Sequence, residues 1–303
     1  MRSAKILEIW KIRNNFSMST ESYTCSDCGE IVAVRRKAQH EEFWCTVLVA
    51  NDDVHDILND SPNSCSAPSA AMLVHDLNPR LAKIQNIELS SGLSLKFEEV
   101  SVFTDKISTG GSLWASEILL AEWLIREKVA SADAVLELGC GACPCAGLTA
   151  AALEASALCT DKAEVITLAE TNLRINAVNV SRARKSQVAR ENYDTLVYHW
   201  GSEIPPRISS LPISVVVMGD CIFNRSTHNP LLESITKLKA VFSFAPPKFI
   251  LAYQRRGAEE AEFFRLAQDQ YNLSTAEVSD VEGLKSKLNL KSPNPHLEMC
   301  EVY

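Results

Sequence analysis

From Ala134 to Gln270, short apolar runs alternate with longer segments of helical period, and this alternation constrains the fold more than any other feature of the chain. AVLELG, ALCTD, TLVYHWG, ISVVVMGD and KFILAYQ read as strands. LTAAALEAS, EVITLAETNLRINAVNV, NPLLESITKLKAVF and AEEAEFFRLAQDQ read as the helices between and after them. Such an order specifies an α/β fold: a doubly wound, Rossmann-like and largely parallel sheet with helices on both faces. HLEMCEVY offers a closing antiparallel strand. Upstream, IELSSGLSLKFEEV alternates about Ser-Ser-Gly and predicts an N-terminal β-hairpin. Ser112 then precedes WASEILLAEWLIREKV, where Ile118, Leu119, Glu122, Trp123 and Ile125 fit a helix with one apolar face.

In an open sheet of this kind, ligands bind beyond the carboxyl ends of the strands. ELGCGACPCAG stands at such an end. A Gly-x-Gly turn by itself is also what any tight strand-to-helix connection favours. Two acidic residues add to it. Glu137 places a carboxylate in the mouth of the turn, which disfavours a pyrophosphate and suits a cationic, amino-acid-bearing ligand. Asp161 ends the second strand, where an acidic residue receives a ribose diol. Its rival role is a helix N-cap within TDKAEV.

These residues carry a resemblance. VLELGCGACPCAGL, LCTD and NLRIN resemble the core of the class I, seven-strand S-adenosylmethionine-dependent methyltransferases. GGSLWASEILLAEWL resembles the Trp-bearing helix of the family 16 protein methyltransferases, HWG its Trp-Gly step, and VVVMGDCIFNRSTHNPLL its Asp-x-x-Tyr/Phe motif. FNRSTHNPLL, ILAYQRR and AEFFRLAQ look most like the branch labelled nicotinamide N-methyltransferase-like. That branch is associated with methylating the N-terminus and a nearby lysine of translation elongation factor 1-alpha.

The resemblance covers residues 87–303 and implies a cofactor, S-adenosyl-L-methionine, held by Trp114, Glu137, Gly139, Cys140, Gly141, Asp161, Trp200 and Gly219. It implies that Asp220 stands at the mouth of the methyl-transfer pocket, with Phe223 as an apolar wall. Trp114 and Trp200 are equally readable as core aromatics. One position departs from the family pattern: the third glycine of the turn is replaced by Cys143, followed by Pro144, which narrows the space beside the cofactor. The expected activity is methylation of a protein amine. A small-molecule N-methyltransferase and a non-catalytic binding scaffold are the alternatives.

The acceptor amine must be neutral. An α-amine titrates at about 7.7–8.0 and a lysine at about 10.4, so lysine costs roughly 3.5 kcal/mol more to deprotonate at neutral pH. Asp220 would attract and orient the amine but oppose loss of its proton.

Cys25, Cys28, His40 and Cys45 give C-x2-C, eleven residues, then H-x4-C. This resembles a small CCHC zinc finger, with a structural zinc. Four unconnected residues in a chain with 10 cysteines is the other reading. Residues 1–19 are expected to be disordered, 20–46 to form this module, 47–84 to be an Asn/Asp/Ser/Pro-rich linker and 85–303 the catalytic domain. Met18 is a second candidate start.

The net charge of -8 argues against a nucleic-acid surface, as does the lack of an N/D-P-P-Y/F motif, although Arg182, Arg184, Lys185 and Arg190 cluster locally. No run of eighteen apolar residues and no secretory signal is present. A cytoplasmic monomer with reduced thiols, acting on a protein partner such as elongation factor 1-alpha, is expected. His75, His199 and His228 are taken as surface or pocket residues.

Overall fold

The structure, a computed structural model, describes residues 22–24, 31–33, 82–100, 108–184, 192–288 and 296–303. The chain divides into two compact units, Met1–Ser66 and Ala67–Tyr303.

In the first unit, β1 (Ser22–Thr24) pairs antiparallel with β2 (Ile31–Ala33), Tyr23 opposite Val32. The second strand lies within the apolar run EIVAV. Cys25, Cys28, His40 and Cys45 lie outside the described residues, as do His75, Lys185 and Arg190.

The second unit opens with the predicted hairpin, β3 (Ala82–Glu88) and β4 (Ser94–Val100), in antiparallel register. There follow α1 (Ala115–Glu127), β5 (Ala134–Leu138), α2 (Cys145–Ala152), β6 (Ser156–Asp161), α3 (Ala163–Ala183), β7 (Tyr193–Val197) and α4 (Pro206–Ser209). Then come β8 (Val215–Gly219), α5 (Arg225–Val241), β9 (Lys248–Gln254), α6 (Ala258–Tyr271), β10 (Thr275–Glu277), α7 (Val281–Lys285) and β11 (Leu297–Val302). Helix α2 begins three residues before the predicted LTAAALEAS, because Pro144 fixes its N-cap.

The seven-stranded sheet has the order β10-β11-β9-β8-β5-β6-β7. Strands β5 to β9 run parallel; β11 closes antiparallel on β9, as HLEMCEVY predicted. The order reverses between β5 and β8. This is the switch point, where a crevice forms beyond the carboxyl ends.

Parity distributes the core. In β8, Val215 and Val217 join one buried cluster with residues of α1 and α2, while Val216 and Met218 join another with residues of α5 and α6. Alternate residues of a strand face opposite sides, so a parallel strand covered on both faces is largely apolar, and all five residues of β5 and β8 are buried, Glu137 being the charged exception.

The hairpin is fastened to α3 by amides. Asn176 accepts from Lys96 N at 2.8 Å and donates to Lys96 O at 2.7 Å. Asn172 does the same for Glu98, at 2.8 and 3.0 Å, and Asn179 donates to Ser94 O. Alternate residues of a strand edge and near-i+4 positions of a helix have similar spacing, so a row of asparagines serves as a neighbouring strand. At the hairpin turn, Ser90 donates from N and Oγ to Glu122 of α1.

Candidate functional site

The Gly139–Gly141 turn leaves β5 at the switch point with both glycines at positive φ, 74° and 61°. A Cβ on Gly139 would lie 2.5 Å from the ring of Trp200, so the turn needs glycine both for conformation and for room. Gly139 N and Cys140 N donate to Thr160 O, and Ala142 N donates to Gly110 O. Asn172 also reaches the turn, donating to Ala142 O at 2.7 Å.

Asp161 is the staple of this turn. Its Oδ2 accepts from Gly141 N at 2.9 Å and its Oδ1 from Lys162 N at 2.7 Å. Burial raises its pKa, and these two amides oppose the rise. The rival role, a helix cap, is not taken: the N-cap residue of α3 is Lys162, with no side-chain cap.

Glu137 is a correction. The sequence reading placed it in the mouth of the turn, but its exposure is 0%. It has the parity of Val135 and so faces α1 and α2, where its Oε2 accepts from Gly147 N at 2.8 Å in the first turn of α2. There it meets Glu117 of α1, also buried. Burial raises both pKa values, that of Glu117 strongly, with the charge of Glu137 as the next cause.

Cys143, which stands where the family pattern has a glycine, is buried. Its side chain packs in the core cluster, with Asn172 Nδ2 3.9 Å from its sulfur. Cys140, Cys143, Cys145, Cys159 and Cys221 are free and buried, and burial pushes all five thiols well up. A thiol held protonated is a poor nucleophile, so these cysteines are packing residues.

At the end of β8, Asp220 adopts φ 55° and donates its N–H to Ala252 O. The expectation of a carboxylate open to an incoming amine is corrected: Asp220 is 6% exposed and both its oxygens are taken by Arg256. Nη1 donates to Oδ1 at 2.8 Å and Nη2 donates to Oδ2. The same guanidinium lies 5.5 Å from the ring centroid of Trp114, the half-buried N-cap residue of α1. Thus Trp114, Gly219 and Asp220 meet at one corner, and Gly139, Cys140, Gly141, Asp161 and Trp200 at the other. Phe223 is half-buried in the loop before α5.

Glu117 and Arg256 were missed as site residues. The signal for Arg256 was ILAYQRR, since β9 neighbours β8 and its end must meet Asp220. For Glu117 there was none beyond a charged residue on an otherwise apolar face. His228 is another correction. It is fully buried, its Nε2 3.1 Å from Ile222 O and its ring edge-on to Phe263, so it is a core residue. Of the basic cluster, Arg184 donates to Ala151 O and Asn192 beside Tyr193, which leaves Arg182 as its exposed described member. Among the described residues, no group of three or more His, Cys, Asp or Glu could hold a metal, and no helix is long and apolar enough to cross a membrane.

A parallel sheet with an antiparallel closing strand, a glycine turn at its switch point and acidic residues at the ends of β6 and β8 define a Rossmann-like domain with a ligand crevice. The family described as lysine methyltransferase matches residues 91–270, over half of the chain, and the chain belongs to that family. A second family, described as C2HC zinc finger, matches residues 17–46, the interval that holds Cys25, Cys28, His40 and Cys45.

Solved structures similar to the chain include a 16S rRNA methyltransferase of T. thermophilus in complex with AdoMet and guanosine, at 14% identity and a TM-score of 0.45, covering 74% of this chain and 50% of that one. A SAM-dependent methyltransferase from Aquifex aeolicus has 15% identity and a TM-score of 0.41, covering 62% and 93%. The CcbJ methyltransferase from Streptomyces caelestis has 11% identity and a TM-score of 0.41, covering 66% and 94%. The chain spans half the length of the T. thermophilus enzyme.

Proposed function

We propose that the chain is an S-adenosylmethionine-dependent protein N-methyltransferase acting on a lysine or N-terminal amine, with translation elongation factor 1-alpha as the leading substrate. The observation that carries the reading is the pairing, at one switch point, of a glycine turn stapled by Asp161 with a buried Asp220 at the end of the neighbouring strand. The description of the family, lysine methyltransferase, supports an amine acceptor on a protein.

The residues fit the cofactor. Gly139 and Gly141 give a floor without side chains, Asp161 an acidic rim, and Glu117 and Glu137 three buried carboxyl oxygens without a hydrogen-bond partner. When bound, S-adenosylmethionine supplies an electrophilic methyl group on a positive sulfur. Transfer to an amine is an in-line displacement, so the work of this chain is alignment and the exclusion of water. Trp114 and Phe223 provide apolar walls. Asp220, buried and gripped by Arg256, fixes the end of β8 and the Trp114 wall in place rather than meeting the amine itself. The proton of the amine leaves to solvent.

Cys25, Cys28, His40 and Cys45 are read as the ligands of one structural zinc, in a module at 20–46 ahead of a linker at 47–84 and a catalytic domain at 85–303. The family match over residues 17–46 supports this.

The test is incubation of the full chain with labelled S-adenosylmethionine and purified elongation factor 1-alpha, followed by mapping of the labelled residue. Label on its N-terminus or a lysine is expected, at least tenfold lower with Asp220→Ala while calorimetric binding of the cofactor is retained. Saturable cofactor binding with label only on a small amine or on another protein would remove the elongation factor. No saturable heat would remove the enzyme.

A further inference from the structure

Two enclosed carboxyls meet at the switch point. Glu117 comes from the first turn of α1 and Glu137 from β5, with exposures of 4% and 0%. Both oxygens of Glu117 and Oε1 of Glu137 have no partner in hydrogen-bond geometry, while Gly147 N donates to Glu137 Oε2 and the Ala146 amide lies against Glu117. Glu117 rests on the bare end of β8: a Cβ on Gly219 would lie 1.8 Å from its Oε1. The groups that face the pair from other elements are Asp220 and Cys221 at the end of β8, Asp161 and Cys159 on β6, Cys140 and Cys143 in the turn, and Cys145 and the Ala146 amide on α2. None of these is a cation, and Asp220 has its own in Arg256.

Two ionised carboxylates in such a space repel and offer each other no donor. One proton between them resolves both problems, since a carboxylic acid donates where a carboxylate only accepts. We propose that Glu117 carries this proton and is a positioning residue of the cofactor site: its O–H donates to Glu137, leaving a single buried anion beneath the Gly139–Gly141 turn that a cationic ligand balances. This rests on the reading of that turn as the S-adenosylmethionine site. Of the two carboxyls, Glu117 is the natural acid, because burial and the charge of Glu137 outweigh the opposing Ala146 amide, whereas Glu117, Cys159 and the Gly147 amide all favour the ionised form of Glu137.

The test uses the full chain, Glu117→Gln, which keeps a donor toward Glu137, and Glu117→Leu, which keeps only bulk. The infrared spectrum at pH 7 is expected to show the stretch of a protonated carboxyl in the parent and not in Glu117→Gln. Calorimetric titration with S-adenosylmethionine is expected to give Glu117→Gln within threefold of the parent and Glu117→Leu at least tenfold weaker. A band that persists in Glu117→Gln overturns the proposal. So does a folded Glu117→Leu that binds like the parent, or a folded Glu117→Gln that loses tenfold. If Glu117→Leu does not fold by circular dichroism, the spectrum and Glu117→Gln decide. If the parent shows no saturable heat, the cofactor reading falls, while the infrared band still reports which carboxyl holds the proton.

Discussion

Arg256 grips both carboxylate oxygens of Asp220 while its guanidinium lies over the indole of Trp114, so the end of β9, the end of β8 and the start of α1 are joined through one side chain. A planar fork makes this junction; a point charge would not. Arg256→Ala is expected to cost about 2 kcal/mol by urea denaturation, less than the roughly 3–5 kcal/mol of a fully buried pair because Arg256 keeps part of its side chain in solvent. Methylation is expected to fall at least tenfold, and Arg256→Lys to restore stability better than turnover. Wild-type rates in Arg256→Ala would show that the pair has no part in catalysis.

The pair beneath the turn sets a pH dependence of stability. The folded pKa of Glu117 lies above its unfolded value, so its contribution is complete below the unfolded value and is lost as pH rises through the folded one. Thermal unfolding of the parent is therefore expected to weaken with rising pH relative to Glu117→Gln, the two converging toward acid. Parallel curves from pH 5 to 9 would contradict this.

Gly139→Ala meets two obstacles, a left-handed φ and the Trp200 ring. Strain of about 1–2 kcal/mol and overpacking of about 1–3 kcal/mol are expected together. The double variant with Trp200→Ala is expected to recover the packing part and not the strain. A double-mutant cycle with no coupling energy would contradict the contact.

Asn176→Ala removes both bonds to Lys96 and is expected to cost about 1–3 kcal/mol by leaving strand groups without partners. Hydrogen exchange is the sharper measurement: the amides of Lys96 and Glu98 are expected to lose protection while those of β8 keep it. Unchanged protection of Lys96 would show that the amide row is dispensable.

The zinc reading predicts one zinc per chain in reducing buffer, lost in Cys28→Ser. Chelation is expected to unfold the N-terminal module while cofactor affinity stays within about twofold, a separation visible by calorimetry in the presence and absence of chelator. A zinc content near zero in zinc-replete protein would dispose of it.

The alternation of apolar runs made the sheet legible, because β5 and β8 are buried on both faces and could hold nothing polar except what the site uses. The glycine turn and Asp220 were legible for the same reason: each interrupts a strand at its carboxyl end. What the sequence hid was direction. Glu137 looks like a rim residue until the parity of β5 turns it inward, and Glu117 is one of several glutamates on α1 until β8 ends in a glycine beneath it. Arg256 stands 36 residues after Asp220, and only the adjacency of β8 and β9 brings them together. Nothing local to His228 signals its burial, which comes from α6 packing over it through Phe263.

The asparagines of α3 have a consequence for how a partner can approach. With Ser94, Lys96 and Glu98 already bonded along the outer side of β4, no extended peptide can add itself there as a further strand. On the reading of the chain as a protein methyltransferase, its substrate is therefore expected to be recognised elsewhere than by backbone pairing along that side of β4.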